Sequence, residues 1–387
     1  MNTRTWAQIS VDALNYNFKQ IRKITNPDSK IMAIVKADAY GHGAVECARI
    51  FLQNGADMLG VACCEEAMQL RRNGIAAPIL ILGTSYDEEL LEIVQNDITP
   101  TVFSYDFANK LSATAKSFSK TVKVHIKIDT GMSRLGYVAG VSDNKIVDEI
   151  IKISALPNIE IEGIFSHLST ADEKDSSYTE LQFGRFTNVC KMLEDCGLII
   201  PIKHIANSAA IIMYPNMHLD MVRAGIILYG LYPSEEVDKT RIELKNVMTV
   251  KSKITYIKEI CDRRGVSYGN MYITEGKTKI ATIPIGYADG YTRMLNGKAK
   301  MLVGDACVDV IGKICMDQCM IDVTNVNNIN IGDEVIIFGD HTVTADTLAS
   351  MLGTINYEIV CMISKRIPRF YIHNGRTVKT LNYLCRL

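Results

Sequence analysis

Residues 31–53, IMAIVKADAYGHGAVECARIFLQ, set the pattern for most of the chain. The first five are apolar without interruption, as in a parallel strand buried on both faces. Lys36 closes that run, Gly41 and Gly43 mark a turn, and Ala44–Gln53 carries a helical pattern. This is one βα unit. Seven further runs follow: MLGVA (58–62), ILIL (79–82), ITPTV (98–102), VKVHIKI (122–128), IEIEGIF (159–165), PIKHIA (201–206) and MVRAGIIL (221–228). Most intervals can hold a crossover helix, Glu65–Arg72 among them, although the seventh is short. A helix leads in, with Ser10 as candidate N-cap and Val11, Leu14, Phe18 and Ile21 on one face. Eight units within residues 1–240 predict an α/β fold, an N-terminal (β/α)8 TIM barrel. An open doubly wound sheet shares the pattern, but Gly41-His42-Gly43 continues without the third glycine of a dinucleotide fingerprint.

From residue 241 to 387 the pattern turns to strands. NVMTVKSKITYIKEI alternates, and KIATIPIGYADG, AKMLVGDACVDVIGKICMDQCMIDV and GDEVIIFG read as antiparallel β with glycine turns. Only TADTLASML and NYEIVCMI look helical. A second, mostly-β domain is expected here.

The composition excludes several classes. In 387 residues, 42 Lys+Arg against 43 Asp+Glu leave a net charge of −1, which argues against a nucleic-acid binder or a polybasic membrane-surface protein. Hydrophobic residues at 48% and charged residues at 22% fit a globular chain with a substantial core. No apolar run approaches the ~18–20 residues of a membrane span, and MNTRTWAQIS contains no apolar signal core. Eleven cysteines without dense spacing point to reduced thiols and a cytoplasmic protein. The chain has no H-E-x-x-H, no paired C-x2-C, no P-loop and no G-x-S-x-G, so neither a metal site nor those nucleophile chemistries are expected.

In a (β/α)8 barrel the chemistry collects where strands end. Strand one ends at Lys36, strand five carries Lys127 and Asp129 and opens into Arg134, strand six ends at Ser166-His167, strand seven runs into Asn207-Ser208, and strand eight carries Arg223 before Gly225-Ile226. A lysine desolvated in a barrel mouth has a lowered pKa and can form a Schiff base. The loops after strands seven and eight are where barrels build phosphate sites. The pair suggests pyridoxal phosphate. The plain alternatives are a solvated Lys36, a simple helix cap at Asn207-Ser208 and a packed hairpin tyrosine at Tyr268.

VKADAYGHG (35–43) resembles the cofactor-attachment signature of the bacterial alanine racemases. KIDTGMSRLG (127–136), HLSTADE (167–173), HIANSAA (204–210), VRAGIILYG (222–230), SYG (267–269), IPIGYADGY (283–291) and CMDQCM (315–320) are similar to further segments of that family, in its order. The resemblance covers essentially the whole chain. It implies pyridoxal 5'-phosphate held by Lys36, which also acts as base on the D-alanine face, with Tyr268 as the opposite base supplied across a homodimer. It implies that Arg134 orients cofactor and substrate carboxylate, that Lys127 is carbamylated to hold Arg134, and that Met316 gives a backbone N–H to the carboxylate. Tyr40, Asn207, Ser208, Gly225, Ile226 and Tyr357 resemble the phosphate cradle. His167 resembles a support for Arg223, which faces the pyridine nitrogen. Asp172, Tyr287 and Arg293 resemble the access corridor.

Two departures stand out: Lys313 replaces the family's usual arginine, with loss of a planar fork, and Leu168-Ser169 stands where Phe-Ala is common. A serine or broader amino-acid racemase of the same fold is the nearest alternative, but there the position of Tyr357 is commonly a smaller polar residue. A barrel decarboxylase lacks the Tyr268 and Cys315-Met316-Asp317 segments, and a non-catalytic pyridoxal-phosphate carrier resembles a lone barrel.

Overall fold

The apolar runs become eight short parallel strands: β1 (Lys30–Ile34), β2 (Met58–Val61), β3 (Ile79–Ile81), β4 (Thr101–Val102), β5 (Val122–Asp129), β6 (Ile159–Phe165), β7 (Ile202–His204) and β8 (Met221–Ala224). The computed structural model describes residues 4–385. These divide into two units, one made of Leu14–Ala39 and Ala44–Lys245, the other of the residues up to Ala13, Tyr40–Gly43 and everything from Asn246 onward.

In the first unit the strands close into a ring. Ladders join β8 to β1, β1 to β2 and β2 to β3, and likewise β4 to β5, β5 to β6 and β6 to β7. The two remaining gaps are bridged by single pairs. Thr99 exchanges bonds with Ile79 and Ile81 across the first, and the Arg223 N–H donates to the Ala206 carbonyl at 3.0 Å across the second. The sheet is therefore closed, with no free edge to protect. Most strands are shorter than their apolar runs, two of them for a visible reason. Pro100 has no N–H to give a ladder, so the fourth is a regular strand only at Thr101–Val102, with Thr99 left to an isolated bridge. At Gly225 (φ −112°, ψ −110°) the chain leaves the eighth strand, and Ile226–Tyr229 wind into a 3-10 turn.

Helices follow the strands, including Ala44–Gln53, Cys64–Arg72, Tyr105–Ser117, Asp143–Ser154 and Ser177–Asp195. The lead-in helix Val11–Ile24 is capped by Ser10, whose Oγ accepts the Ala13 N–H at 3.1 Å, and Leu14, Phe18 and Ile21 are buried.

The second unit is built on a ten-stranded, mainly antiparallel sheet, crossed in the order Tyr256–Ile260, Thr278–Ile283, Cys319–Asp322, Ala306–Ile311, Lys300–Val303, Glu334–Phe338, Met248–Lys253, Thr5–Ser10, Arg369–His373 and Arg376–Leu381. Thr5–Ser10 was not foreseen as a strand; it lies antiparallel to Met248–Lys253 and parallel to Arg369–His373. A small hairpin pairs Gly265–Val266 with Tyr272–Ile273, and the two helices are Ala345–Leu352 and Asn356–Cys361. Among the described residues no helix is long and apolar enough to cross a membrane.

The barrel interior is filled so closely that β6 carries a glycine facing a ring. A Cβ on Gly163 would stand 2.5 Å from the imidazole of His125, which is fully buried. Gly163→Ala is therefore expected to cost about 1–3 kcal/mol through overpacking, read as a lower midpoint in urea titration.

Candidate active site

Arg223, on β8, is 4% exposed, and a guanidinium taken out of water must find acceptors for its donors. It donates to the carbonyls of Ser166 (2.7 Å), Ile205 (3.0 Å) and His204 (3.2 Å), and to the ring nitrogens Nδ1 of His204 (3.0 Å) and Nδ1 of His167 (3.2 Å). Burial, helped by the charge of Arg134, pulls it down to about 9, so it stays charged at neutral pH.

A guanidinium only donates, and that settles the tautomers beneath it. His204 Nδ1 accepts, so its proton sits on Nε2, 2.9 Å from His125 Nδ1. His125 then carries its proton on Nε2 and points it at Glu162 Oε2, 3.4 Å away. Burial pushes both imidazoles down, so both are neutral. The bond from His125 and the neighbouring Lys123 hold the Glu162 carboxyl at about 2 despite its partial burial. The sequence reading assigned no role to His125, His204 or Glu162. Their signal is a polar side chain inside a strand that should be buried on both faces.

Lys127 lies on β5 with its Nζ 4.1 Å from the centre of the Phe165 ring. Burial, then the charges of Arg223 and Arg134, hold its amine well below the usual lysine range, with Asp129 acting the other way. Its charged form is disfavoured. Burial, then the charges of Arg223, Lys127, Arg134 and Lys36, push His167 well down.

The loop after β5 is shaped by Asp129, whose Oδ1 accepts the N–H groups of Gly131 (2.9 Å) and Ser133 (3.0 Å). Gly136 permits the return: at φ +123° a side chain there would strike the backbone of Asp129. Arg134, Lys127, Asp129, Ser166 and His167 thus line one cavity. Gln182, fully buried and also missed in the sequence, ties this loop to the next through Thr130 Oγ1 (3.2 Å) and the His167 carbonyl (3.0 Å).

Lys36 follows β1 and leads into four consecutive non-glycine residues with positive φ: Ala37, Asp38, Ala39 and Tyr40, at 51–54°. Such a run costs about 1–2 kcal/mol per residue. Glu66 offsets it by accepting the N–H groups of Ala37 and Ala62, each at 2.7 Å, and Asp38 accepts that of Ala44 at 2.9 Å.

Across the rim, Asn207 caps the helix Ser208–Met213 by accepting the Ala210 N–H at 3.0 Å. Ser208 Oγ accepts the Gly225 N–H at 3.0 Å, which ties the loops after β7 and β8 together. Asp172 lies in the loop after β6, its carbonyl accepting Ser234 Oγ at 2.8 Å.

The remaining candidates lie in the second unit. The rings of Tyr40 and Tyr357 stand 6.0 Å apart. Tyr268 is 69% exposed on a turn after Ser267, whose Oγ donates to the Lys313 carbonyl at 2.6 Å. The N–H groups of Tyr287 and Ala288 donate to the carbonyls of Cys315 and Met316. Tyr268, Tyr287 and Met316 are thereby gathered on one patch, whereas Arg293 stands exposed on its own 3-10 turn, Arg293–Leu295.

Comparison with known proteins covers both parts of the chain. The alanine racemase N-terminal domain family matches residues 9–233 and the alanine racemase C-terminal domain family matches 247–371. An alanine racemase of Methanococcus maripaludis is 52% identical over 371 residues, 95% of this chain and 98% of its own. One from Clostridium tetani is 49% identical, covering 98% of each chain. The solved structure of an alanine racemase from Clostridium difficile superimposes with a TM-score of 0.96 at 46% identity, over 99% of this chain and 100% of that one. The chain belongs to the alanine racemase family.

The lowered pKa of Lys127 has a measurable consequence. A lysine whose folded pKa is depressed binds fewer protons folded than unfolded, so it lowers stability below the ordinary lysine pKa and the loss shrinks as pH rises towards it. In CO2-free buffer, Lys127→Met is expected to flatten the rise of unfolding free energy between about pH 7 and 10 relative to the unsubstituted protein. Parallel pH profiles in urea titrations would contradict a lowered pKa at Lys127.

Proposed function

We propose that the protein is a pyridoxal 5'-phosphate-dependent alanine racemase, a cytoplasmic homodimer with shared active sites that interconverts L- and D-alanine and supplies D-alanine for peptidoglycan. The observation that carries this reading is the buried Arg223 on the same barrel rim as Lys36. An arginine offers only donors, so it suits an unprotonated pyridine nitrogen, and a pyridinium beside it would be a like-charge pair. The other rim residues fit the group too. Lys36 supplies an amine for its aldehyde, and the first N–H groups of the turns at Ser208 and Ile226 have no intrahelical acceptor, which suits a phosphate. The resemblance assigns Tyr40 and Tyr357, whose rings stand 6.0 Å apart, to the same phosphate.

When bound, pyridoxal phosphate acidifies the Cα–H of an attached amino acid. Lys36 takes or returns that proton on one face, and the partner subunit's Tyr268 does so on the other, so inversion needs no rotation of the substrate. Arg134 and the Met316 N–H orient the carboxylate. Burial disfavours the ammonium form of Lys127, so its free amine can add CO2 with release of a proton to solvent; the resulting carbamate is an anion that pairs with Arg134. His167 supports Arg223, and Asp172, Tyr287 and Arg293 line the approach, with Lys313 keeping a charge there. In the second unit Tyr268, Met271, Met294 and Met316 are each more than half exposed, which leaves apolar surface available to a partner.

Assay of L-alanine and L-serine by chiral chromatography tests the substrate. Lys36→Ala and Tyr268→Ala are each expected to abolish racemisation in both directions, and mixing the two inactive proteins to restore one intact site per heterodimer. If subunit exchange is confirmed by mass spectrometry and no activity returns, both bases come from one chain.

A further inference from the structure

Asp289 is fully buried in the second unit, yet it lies in no part of the chemistry described above. Its carboxylate accepts from Arg4 at 2.8 Å and from the Gly286 N–H at 3.1 Å, and Arg366 Nε stands 3.6 Å from it. The same guanidinium turns its other end outward and donates to Asp317 Oδ1 at 2.8 Å. Arg366 therefore spans from a buried anchor to the residue after Met316.

The turn that carries Met316 is clamped on its other side as well. The Tyr287 N–H donates to the Cys315 carbonyl at 3.1 Å, the Ala288 N–H to the Met316 carbonyl at 3.0 Å, and the Cys315 N–H to the Gln318 carbonyl at 2.8 Å. Gly286 permits this approach, since a Cβ there would lie 2.2 Å from the Cys315 carbonyl oxygen. Among the described residues none accepts the Met316 N–H. The turn is thus fixed at its carbonyls and at Asp317, while the Met316 N–H, like those of Asp317 and Gln318, has no protein acceptor among the described residues.

We infer that Arg366 is a positioning residue for the substrate carboxylate: held by Asp289, it grips Asp317 and so fixes the direction of the Met316 N–H. This rests on the reading that Met316 binds the carboxylate. The side chains of Arg366 and Asp317 are 37% and 53% exposed, so their bond adds little to the stability of the fold, and its effect is geometric.

Arg366→Ala and Asp317→Ala are each expected to raise KM for L- and D-alanine about five- to tenfold with kcat changed less than about twofold. The inhibition constant of propionate, a carboxylate without the amine, rises in parallel, while the thermal midpoint and the absorbance of the bound cofactor stay as they were. The double variant is no worse than either single one, because both remove the same contact, and Arg366→Lys recovers part of the affinity. Unchanged KM and propionate affinity in both single variants, or additive losses in the double, overturn the inference. Met316→Pro, which deletes the N–H, separates the two readings. If it raises KM and Arg366→Ala does not, only the positioning role falls. If it leaves KM and propionate affinity unchanged, the carboxylate reading falls first.

Discussion

A positive charge that cannot be discharged, buried among the strand ends of a barrel, organises the rest of the site. Arg223 has no water to turn to, and its pKa leaves it no neutral form at physiological pH. It must take whatever acceptors the neighbouring strands offer, and these are the carbonyls of Ser166, His204 and Ile205. The loops after β6 and β7 are thereby referenced to β8. The same charge makes a second proton on His204 or His167, or a proton on Lys127, expensive. One buried guanidinium sets both the geometry of the rim and the protonation states around it.

Backbone conformation carries a comparable share of the construction. The left-handed run after Lys36 is unfavourable for L-residues, and it persists because acidic side chains absorb the amides it exposes. In the second unit the same end is reached by omission of side chains. Gly286 and Gly312 have no Cβ, and without that absence the Met316 turn could not lie against the Tyr287 segment, nor the Lys313 strand end against Ser267. Strain and bare backbone both occur where candidate site residues are presented, which is where such costs usually collect.

The residues that were legible in advance share one property: each stands at the end of a strand or in a glycine-marked turn, so its place follows from local pattern. Lys36, Asn207, Ser208 and Arg223 are of this kind. His125, His204 and Glu162 are not, because a polar residue alternating with apolar ones along a strand reads as a solvent-facing position until the sheet closes on itself. Gln182 reads as one more polar residue on a long helix, and only the spacing of two loops shows what its amide joins. Arg366 and Asp289 are 77 positions apart and give no local signal at all.

Local apolar continuity and turn residues determined the number, order and direction of the eight barrel strands, the change to a β-rich second half, and the rim positions of most candidate site residues. Tertiary structure alone decided the rest. A strand exists only where a partner accepts its hydrogen bonds, so Thr5–Ser10 becomes one through Met248–Lys253 and Arg369–His373, far along the chain. Protonation is likewise a property of surroundings: Lys127 is an ordinary lysine in the sequence, and loss of water beside Arg223 and Arg134 disfavours its charged form.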